Sequence, residues 1–325
     1  METTMPNKYK IFIDGQEGTT GLEINERLQK RDDVQIMRID SDKRKDADER
    51  RKFINDSDIT ILCLPDAAAK ESVSLINPDN NHTKIIDAST AHRTNPDWAY
   101  GFPELSPEHR KAIAASNRIS NPGCYASGFA ALVYPLVKCG ILPSSYPVTC
   151  NAISGYSGAG KKLINVIESD DEAAKIKYSS PNLYALQLSH KHVPEMQMRN
   201  GLAYPPLFVP SVCNYYRGML VSIPIVTRLL FNKISAAQLC DFYRDYYKDA
   251  KFVKVNDFEN NASLDGNFLN ALGCNNTNNL KVNVFGNDEQ ILLVSQLDNL
   301  GKGASGAAVQ NLNIIMGKPE DTFLK

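Results

Sequence analysis

No surplus of either charge marks this chain: 36 Lys and Arg stand against 37 Asp and Glu, a net charge of −1. It therefore lacks the electrostatic footprint of a nucleic-acid or anionic-membrane binder, and neither partner is expected. Long apolar runs are missing too. The most apolar stretch, Tyr125 to Leu142, is broken by Ser127, Gly128, Pro135, Lys138 and Gly140, whereas a membrane-spanning helix needs about 20 nearly unbroken apolar residues. The opening METTMPNKYK has no apolar core of a secretion signal, so a cytoplasmic location is expected. Seven cysteines (Cys63, Cys124, Cys139, Cys150, Cys213, Cys240 and Cys274) include no CxxC pair. An odd, dispersed set argues against a disulfide framework or a structural zinc site, and most are expected to be small buried hydrophobes. Repeats and low-complexity tracts are absent. What is present is ordinary for a globular protein, 42% hydrophobic and 22% charged over 325 residues, which excludes a disordered chain and suits two domains.

The opening third reads as repeated strand–helix units. Tyr9–Asp14 is a β-branched and aromatic strand, glycines follow at Gly15, Gly18 and Gly21, and Leu22, Ile24 and Leu28 lie along one side of a helix. Val34–Ile39, Ile59–Leu64 and Lys84–Asp87 are further short apolar strands. This alternation predicts an α/β fold, a Rossmann-like parallel sheet with helices on both faces. From about residue 145 strands dominate: 148–154, 207–212, 218–225, 251–255, 281–285 and 290–296, with one helix over 230–248 started by Ser235. That is the pattern of an α+β domain on a large mixed sheet. A final helix over 303–316, with Val309, Leu312, Ile315 and Met316 three and four apart, suits a return to the first domain. The expected division is 1–123 with 300–325 as a dinucleotide-binding domain, and 124–299 as a catalytic and oligomerisation domain. The mixed-charge run 42–52 reads as a solvated loop and helix face.

Gly15-x-x-Gly18-x-x-Gly21 departs by one residue from G-x-G-x-x-G but keeps its physics. Backbone must approach a pyrophosphate closely, and a helix N-terminus must offer free N–H groups. Thr19 and Thr20 add hydroxyls there. At the end of the second strand, Asp40 can accept from a ribose 2′-hydroxyl, favouring NAD, while Ser41, Lys43 and Arg44 can hold a 2′-phosphate, favouring NADP. The donors tip the reading to NADP. Asn299, Gly301 and Lys302, before the last helix, can close over the same cofactor.

One cysteine differs from the others. Cys124, in Asn121-Pro122-Gly123-Cys124-Tyr125, follows a sharp turn and opens an apolar helical run, where the positive end of a helix stabilises a thiolate. A base must come from five histidines. His82 and His109 lie in polar stretches, and His92 follows a strand end. His190-Lys191-His192-Val193-Pro194-Glu195 is the richest cluster. If extended, it points His190 and His192 to one side, with Glu195 near enough to orient an imidazole. A metal site on the same residues is the competitor, but no further ligand cluster supports it. Ser154 and Ser157, in SGYSGAGK, offer hydroxyls for an oxyanion or phosphate, and Arg93 and Lys161 offer cations for a substrate carboxylate or phosphate.

IDGQEGTTG (13–21), LCLPDAAAKE (62–71, with Pro65), DASTAHR (87–93), WAYGFPEL (98–105), NPGCYASG (121–128), SGYSGAGKK (154–162), HKHVPEM (190–196) and DNLGKGASGAAVQNLN (298–313) run in order along the chain. Together they resemble the shorter type of N-acetyl-gamma-glutamyl-phosphate reductase. The resemblance implies an NADP-dependent enzyme of arginine biosynthesis, related to aspartate-semialdehyde and glyceraldehyde-phosphate dehydrogenases and assembling as a dimer or tetramer. It would reduce N-acetyl-L-glutamyl 5-phosphate to the 5-semialdehyde and release phosphate. It implies Cys124 as nucleophile, the His-x-His motif as acid/base with His190 preferred over His192, and Pro65 among the coenzyme contacts. Chemistry agrees, because a thiolate displacing phosphate gives a thioester, a good hydride acceptor. Reduction of another acyl phosphate, or a non-catalytic dinucleotide-binding regulator, are the alternatives. A cysteine hydrolase would have no use for the glycine turn.

Overall fold

A computed structural model describes residues 8–258, 264 and 266–325; positions 1–7, part of the opening read above for a secretion signal, lie outside the described residues. The first sheet holds β1 (Tyr9–Asp14), β2 (Val34–Met37), β3 (Ile59–Leu62), β4 (Lys84–Asp87), β5 (Ala99–Tyr100) and β6 (Arg118–Ser120), all parallel, in the order β2-β1-β3-β4-β6-β5. Ile11–Asp14 and all of β3 are buried, as expected of parallel strands covered on both faces. Helices α1 (Thr19–Leu28), α2 (Ala47–Asp56), α3 (Asp66–Ser74) and α4 (Pro107–Ala115) connect these strands. The chain leaves β1 toward β2 and returns to the other side for β3. That reversal opens a crevice at the carboxyl ends of β1 and β3, where sheets of this kind bind ligands.

α5 (Cys124–Lys138) is apolar almost all round and buried from Tyr125 to Val133, so it is a core helix rather than a surface one. A Cβ on Gly128 would lie 2.6 Å from Ser295 Oγ and from Val221 Cγ2; the bare position lets α5 press against the second sheet. That sheet is mixed, in the order β11-β12-β13-β10-β7-β9-β8. Its strands are β7 (Thr149–Gly155), β8 (Asn182–Leu183), β9 (Leu207–Cys213), β10 (Met219–Val226), β11 (Val253–Val255), β12 (Leu280–Gly286) and β13 (Gln290–Leu297). Short helices α6 (Lys161–Ile167), α7 (Glu172–Tyr178) and α8 (Val193–Met198) lie between β7 and β9.

Two expected helices begin later than periodicity suggests. α9 (Ala236–Tyr246) starts only after Ser235, whose side chain and Gln238 form a capping box. Its leading residues Leu230 to Ile234 stay outside it, because the Ser235 backbone is extended. α10 (Gly306–Ile315) is preceded by a wide π turn over Gly301–Ser305. There Gly303 N donates to Asp298 O and Ser305 N to Leu300 O, each five residues back. Val309, Leu312, Ile314 and Met316 share one core cluster with Ile11, Ile13, Ile59, Ile61 and Ile86 of the first sheet. No helix among the described residues is long and apolar enough to cross a membrane.

Candidate active site

A cavity of about 790 Å³ lies at the crevice, with Gly18–Gly21 and Cys63–Asp66 on one wall and Cys124, Tyr125, Ser154, His190 and His192 on the other. Its volume falls in the usual range for small-molecule sites.

Of the three glycines of the turn, Gly18 and Gly21 line the cavity, whereas Gly15 lies outside the lining and shapes the turn behind it. Gly15 has φ +90° and a Cβ there would lie 2.3 Å from the Cys63 carbonyl oxygen; a Cβ on Gly21 would lie 2.5 Å from Gly15 O. These two let the turn close on β3 and on its own helix. Gly18 has no neighbour within 3.4 Å of such a Cβ, so packing does not require its bareness. Gly18 also provides no side-chain cap for α1, and the first turn carries no acid. Bare backbone and uncapped amides facing a cavity fit a dinucleotide pyrophosphate. Thr19, Thr20 and Pro65 line the same wall; Asn299 also lines the cavity but is tied to the second-sheet side, its Nδ2 donating to Ser157 Oγ at 2.8 Å while its Oδ1 accepts from Gly218 N at 2.9 Å.

Other expected coenzyme contacts lie elsewhere. Gly301 is outside the lining, pressed so close to Thr277 O that a Cβ would approach to 2.3 Å. Ser41 and Arg44 are exposed and outside the lining, and Arg44 forms an ion pair with Glu17 of the glycine turn. Lys302 is a correction. Its ammonium is 1% exposed and donates to both carboxylate oxygens of Glu104, at 2.8 and 2.7 Å, and to Gln310 Oε1 at 2.6 Å. All three protons are committed, which leaves none for a cofactor.

The mixed-charge run 42–52 also conceals a buried residue. Arg50 bonds Asp14 Oδ2 at 3.2 Å, Glu71 Oε2 at 3.1 Å and Ser72 Oγ at 2.5 Å behind the glycine turn. Burial raises the Asp14 carboxyl, and Arg50 and Ser72 act against that rise.

On the second wall, Cys124 is the first residue of α5, and Gly123 before it has extended backbone and caps nothing with a side chain. Gly123 N donates to Glu195 Oε1 at 2.9 Å. That carboxylate is 1% exposed and also accepts from Tyr100 Oη at 2.8 Å and Arg93 Nη1 at 3.2 Å. The expectation that Glu195 orients an imidazole is therefore corrected. The histidine segment is not extended; it turns at His192 into α8, and Glu195 on that helix clamps the turn before Cys124 instead. Arg93 is held by Asn121 O and Ala88 O, each at 2.9 Å. It still lines the cavity.

The two imidazoles are adjacent, ring centroids 4.8 Å apart, and both line the cavity. His190 sits edge-on to Tyr125, Tyr184 and Phe208, and its Nδ1 accepts from His192 N at 3.1 Å. That bond leaves the proton of the neutral ring on Nε2. Burial, with Lys191 adding, lowers His190 to about 4. His192 is driven well below the ordinary range by burial first, then by Arg93 and its neighbours. Its Nδ1 is buried and has no hydrogen-bond partner among the described residues. A Cβ on Gly123 would lie 2.4 Å from Arg93 Nη1 and 2.5 Å from His192 Nε2, so glycine alone lets cation and imidazole approach this turn. The Cys124 thiol is raised by burial, with Arg93 and the Tyr125 amide pulling it down. Two neutral imidazoles share its cavity: His192 keeps a ring nitrogen able to take a proton, whereas His190, with Nδ1 occupied and Nε2 protonated, can only donate.

Ser154 and Ser157 line the cavity, whereas Lys161 is exposed and outside the lining. His92 is structural: it is buried, bonded through Nδ1 to Asp87 at 2.6 Å and stacked on Trp98. His82 is exposed, and His109 is half-buried against Tyr134 and Ser106. Among the described residues no three His, Cys, Asp or Glu side chains are grouped to hold a metal.

Residues 10–113 match the family model "Semialdehyde dehydrogenase, NAD binding domain", and 124–299 match "Semialdehyde dehydrogenase, dimerisation domain". N-acetyl-gamma-glutamyl-phosphate reductase 2 of a Nostoc species is 53% identical over 98% of this chain and 100% of its own. N-acetyl-gamma-glutamyl-phosphate reductase of Burkholderia lata is 46% identical over 94% and 96%. Aspartate semialdehyde dehydrogenase II from Vibrio cholerae superposes with a TM-score of 0.68 at 17% identity, covering 96% of this chain and 99% of its own. That from Francisella tularensis gives 0.68 at 15%, covering 95% and 100%. At those identities the structures establish the shared α/β fold. With the sequence relatives they lead to one conclusion: the chain belongs to the N-acetyl-gamma-glutamyl-phosphate reductase family.

Proposed function

We propose that this protein reduces N-acetyl-L-glutamyl 5-phosphate to N-acetyl-L-glutamate 5-semialdehyde and phosphate with NADPH, a step of arginine biosynthesis, as a cytoplasmic homodimer or homotetramer. The observation that carries the reading is the placement of Cys124 at an uncapped helix start, on one cavity wall with two neutral imidazoles and opposite the glycine turn. In this reading 1–123 with 300–325 bind the dinucleotide and 124–299 carry the chemistry. Gly18, Thr19, Thr20 and Asn299 would hold the coenzyme, with Arg44 released from Glu17 to meet a 2′-phosphate. When bound, the reduced nicotinamide supplies a hydride to the acyl carbon.

The residues of the chain do the rest. His192 Nε2 takes the Cys124 proton as sulfur attacks the acyl carbon. The carbon–oxygen bond to phosphate breaks, phosphate leaves with the electron pair, and a thioester remains on Cys124. Arg93 offers positive charge to the departing phosphate. After reduction, the tetrahedral oxyanion is met by His190 Nε2–H and by Ser154, its carbonyl re-forms, and the carbon–sulfur bond breaks to return the thiolate. His192 then gives its proton back to sulfur. His190, preferred on sequence as the acid/base, is the donor in this scheme because its Nδ1 is already occupied.

Turnover in reverse tests the reading. N-acetylglutamate semialdehyde, NADP and phosphate should form NADPH only when all three are present, and Cys124→Ser should abolish it. Equal or better turnover of aspartate semialdehyde would move the substrate to another acyl phosphate, and binding of NADPH without turnover would favour a regulator.

A further inference from the structure

We propose that the buried Lys302–Glu104 pair positions the nucleophile, by fixing the π turn that forms the wall behind Cys124. The inference rests on Cys124 being the reactive thiol of the site just described. Lys302 is the second residue of the turn Gly301–Ser305. The next residue, Gly303, touches the nucleophile: a Cβ there would lie 2.8 Å from Cys124 Cβ. Ala304 O accepts from Asn121 Nδ2 at 3.0 Å, so the same turn also holds the segment leading into Cys124. Gly303 and Ala304 both line the cavity. A shift of this turn therefore presses directly on the Cα and Cβ of Cys124 that carry the sulfur.

A buried ammonium is costly unless its donors are met, and here geometry meets them from two separate elements. Glu104 lies in the 3-10 turn Pro103–Leu105 after β5, while Gln310 is on α10. Gln310 Nε2 closes the network by donating to Glu104 Oε1 at 2.9 Å and to Glu320 Oε2 at 2.8 Å. The ammonium also lies over the Phe102 ring, 4.7 Å from its centroid. Apolar packing would hold the turn without direction, whereas three short donor contacts fix where residue 302 sits. Nothing in the proposed chemistry uses this charge, and the cavity does not reach it.

The test pairs Lys302→Met with Glu104→Gln in one variant, which removes both charges and keeps the shape. Readouts are melting temperature, NADPH affinity, kcat and KM in the reverse assay, and the rate of iodoacetamide modification at Cys124, followed by mass spectrometry. The expected result is a folded protein with KM and NADPH affinity within about twofold, kcat lower by about tenfold or more, and an alkylation rate at Cys124 changed by a similar factor. A lower melting temperature with kcat and alkylation rate within twofold of wild type would make the pair purely structural and overturn the proposal. Should the double variant fail to fold, Glu104→Asp, which keeps both charges and retracts the acceptors by one methylene, carries the same readouts and expectations. Absence of wild-type turnover would count against the assigned reaction instead, since alkylation at Cys124 is measured without substrate.

Discussion

Two cysteines line one cavity, both half-buried, and their surroundings set them apart. Cys63 follows β3 on the coenzyme wall. Burial pushes its thiol up to about 12, and Asp87 and Asp14 push in the same direction. Cys124 meets the same penalty and stays raised, but Arg93, the Tyr125 amide and Lys191 oppose it against a smaller push up from Glu195. Access to a cavity therefore does not choose the nucleophile. What separates them is the dominant charged neighbour, Arg93 for Cys124 against Asp87 and Asp14 for Cys63, together with helix amides that the capping glycine leaves free, and on that ground Cys124 is the proposed nucleophile.

Substitution separates the pair most sharply. Cys124→Ser should lower turnover by about 10³-fold or more, since a serine hydroxyl there stays protonated, while Cys63→Ser should leave it within about threefold. Assay of both variants in the reverse direction decides this, and comparable losses would erase the distinction. Gly123→Ala comes next. Its methyl would press on Arg93 and His192, and kcat should fall by about 10²-fold with smaller changes in NADPH affinity. Alkylation against pH sharpens the contrast further: Cys124 should be modified at a lower pH than Cys63, which should resist until the medium approaches pH 12.

The smallest expected effect is on stability. His190 has its folded value lowered to about 4 by burial, so between pH 6.5 and 4 the unfolded chain binds the extra proton. Stability should then be full above about pH 6.5 and fall as the pH drops toward 4. The loss attributable to this partly solvated ring is about 1 to 2 kcal/mol after screening. Denaturant titrations of wild type and His190→Asn should converge as the pH falls, and parallel curves would refute that cause.

Strands and helices of the first sheet were legible because their signals are local: apolar runs, a glycine turn, a period of three and four. Cys124 was legible for the same reason, since proline, glycine and cysteine in succession announce a turn into a helix. Three residues were not. Arg50 sits in a run of mixed charge, and only folding brings Asp14, Glu71 and Ser72 around it. Glu195 is near the histidines in sequence, but its partners Gly123, Tyr100 and Arg93 are all far from it along the chain. Lys302 stands in a glycine-rich segment that resembles a phosphate loop, yet its acceptor Glu104 is 198 residues away. Side chains whose partners are distant carry no local signature, so a charged residue beside a motif is easily assigned to the motif's ligand.

The most direct test of the account is to mix the protein with N-acetylglutamyl phosphate without NADPH, quench in acid and map the adduct by mass spectrometry. An acyl group on the peptide containing Cys124, released by hydroxylamine and absent from the peptide containing Cys63, is the predicted result. Acylation of Cys63, or of no cysteine while phosphate is released at the catalytic rate, would contradict it.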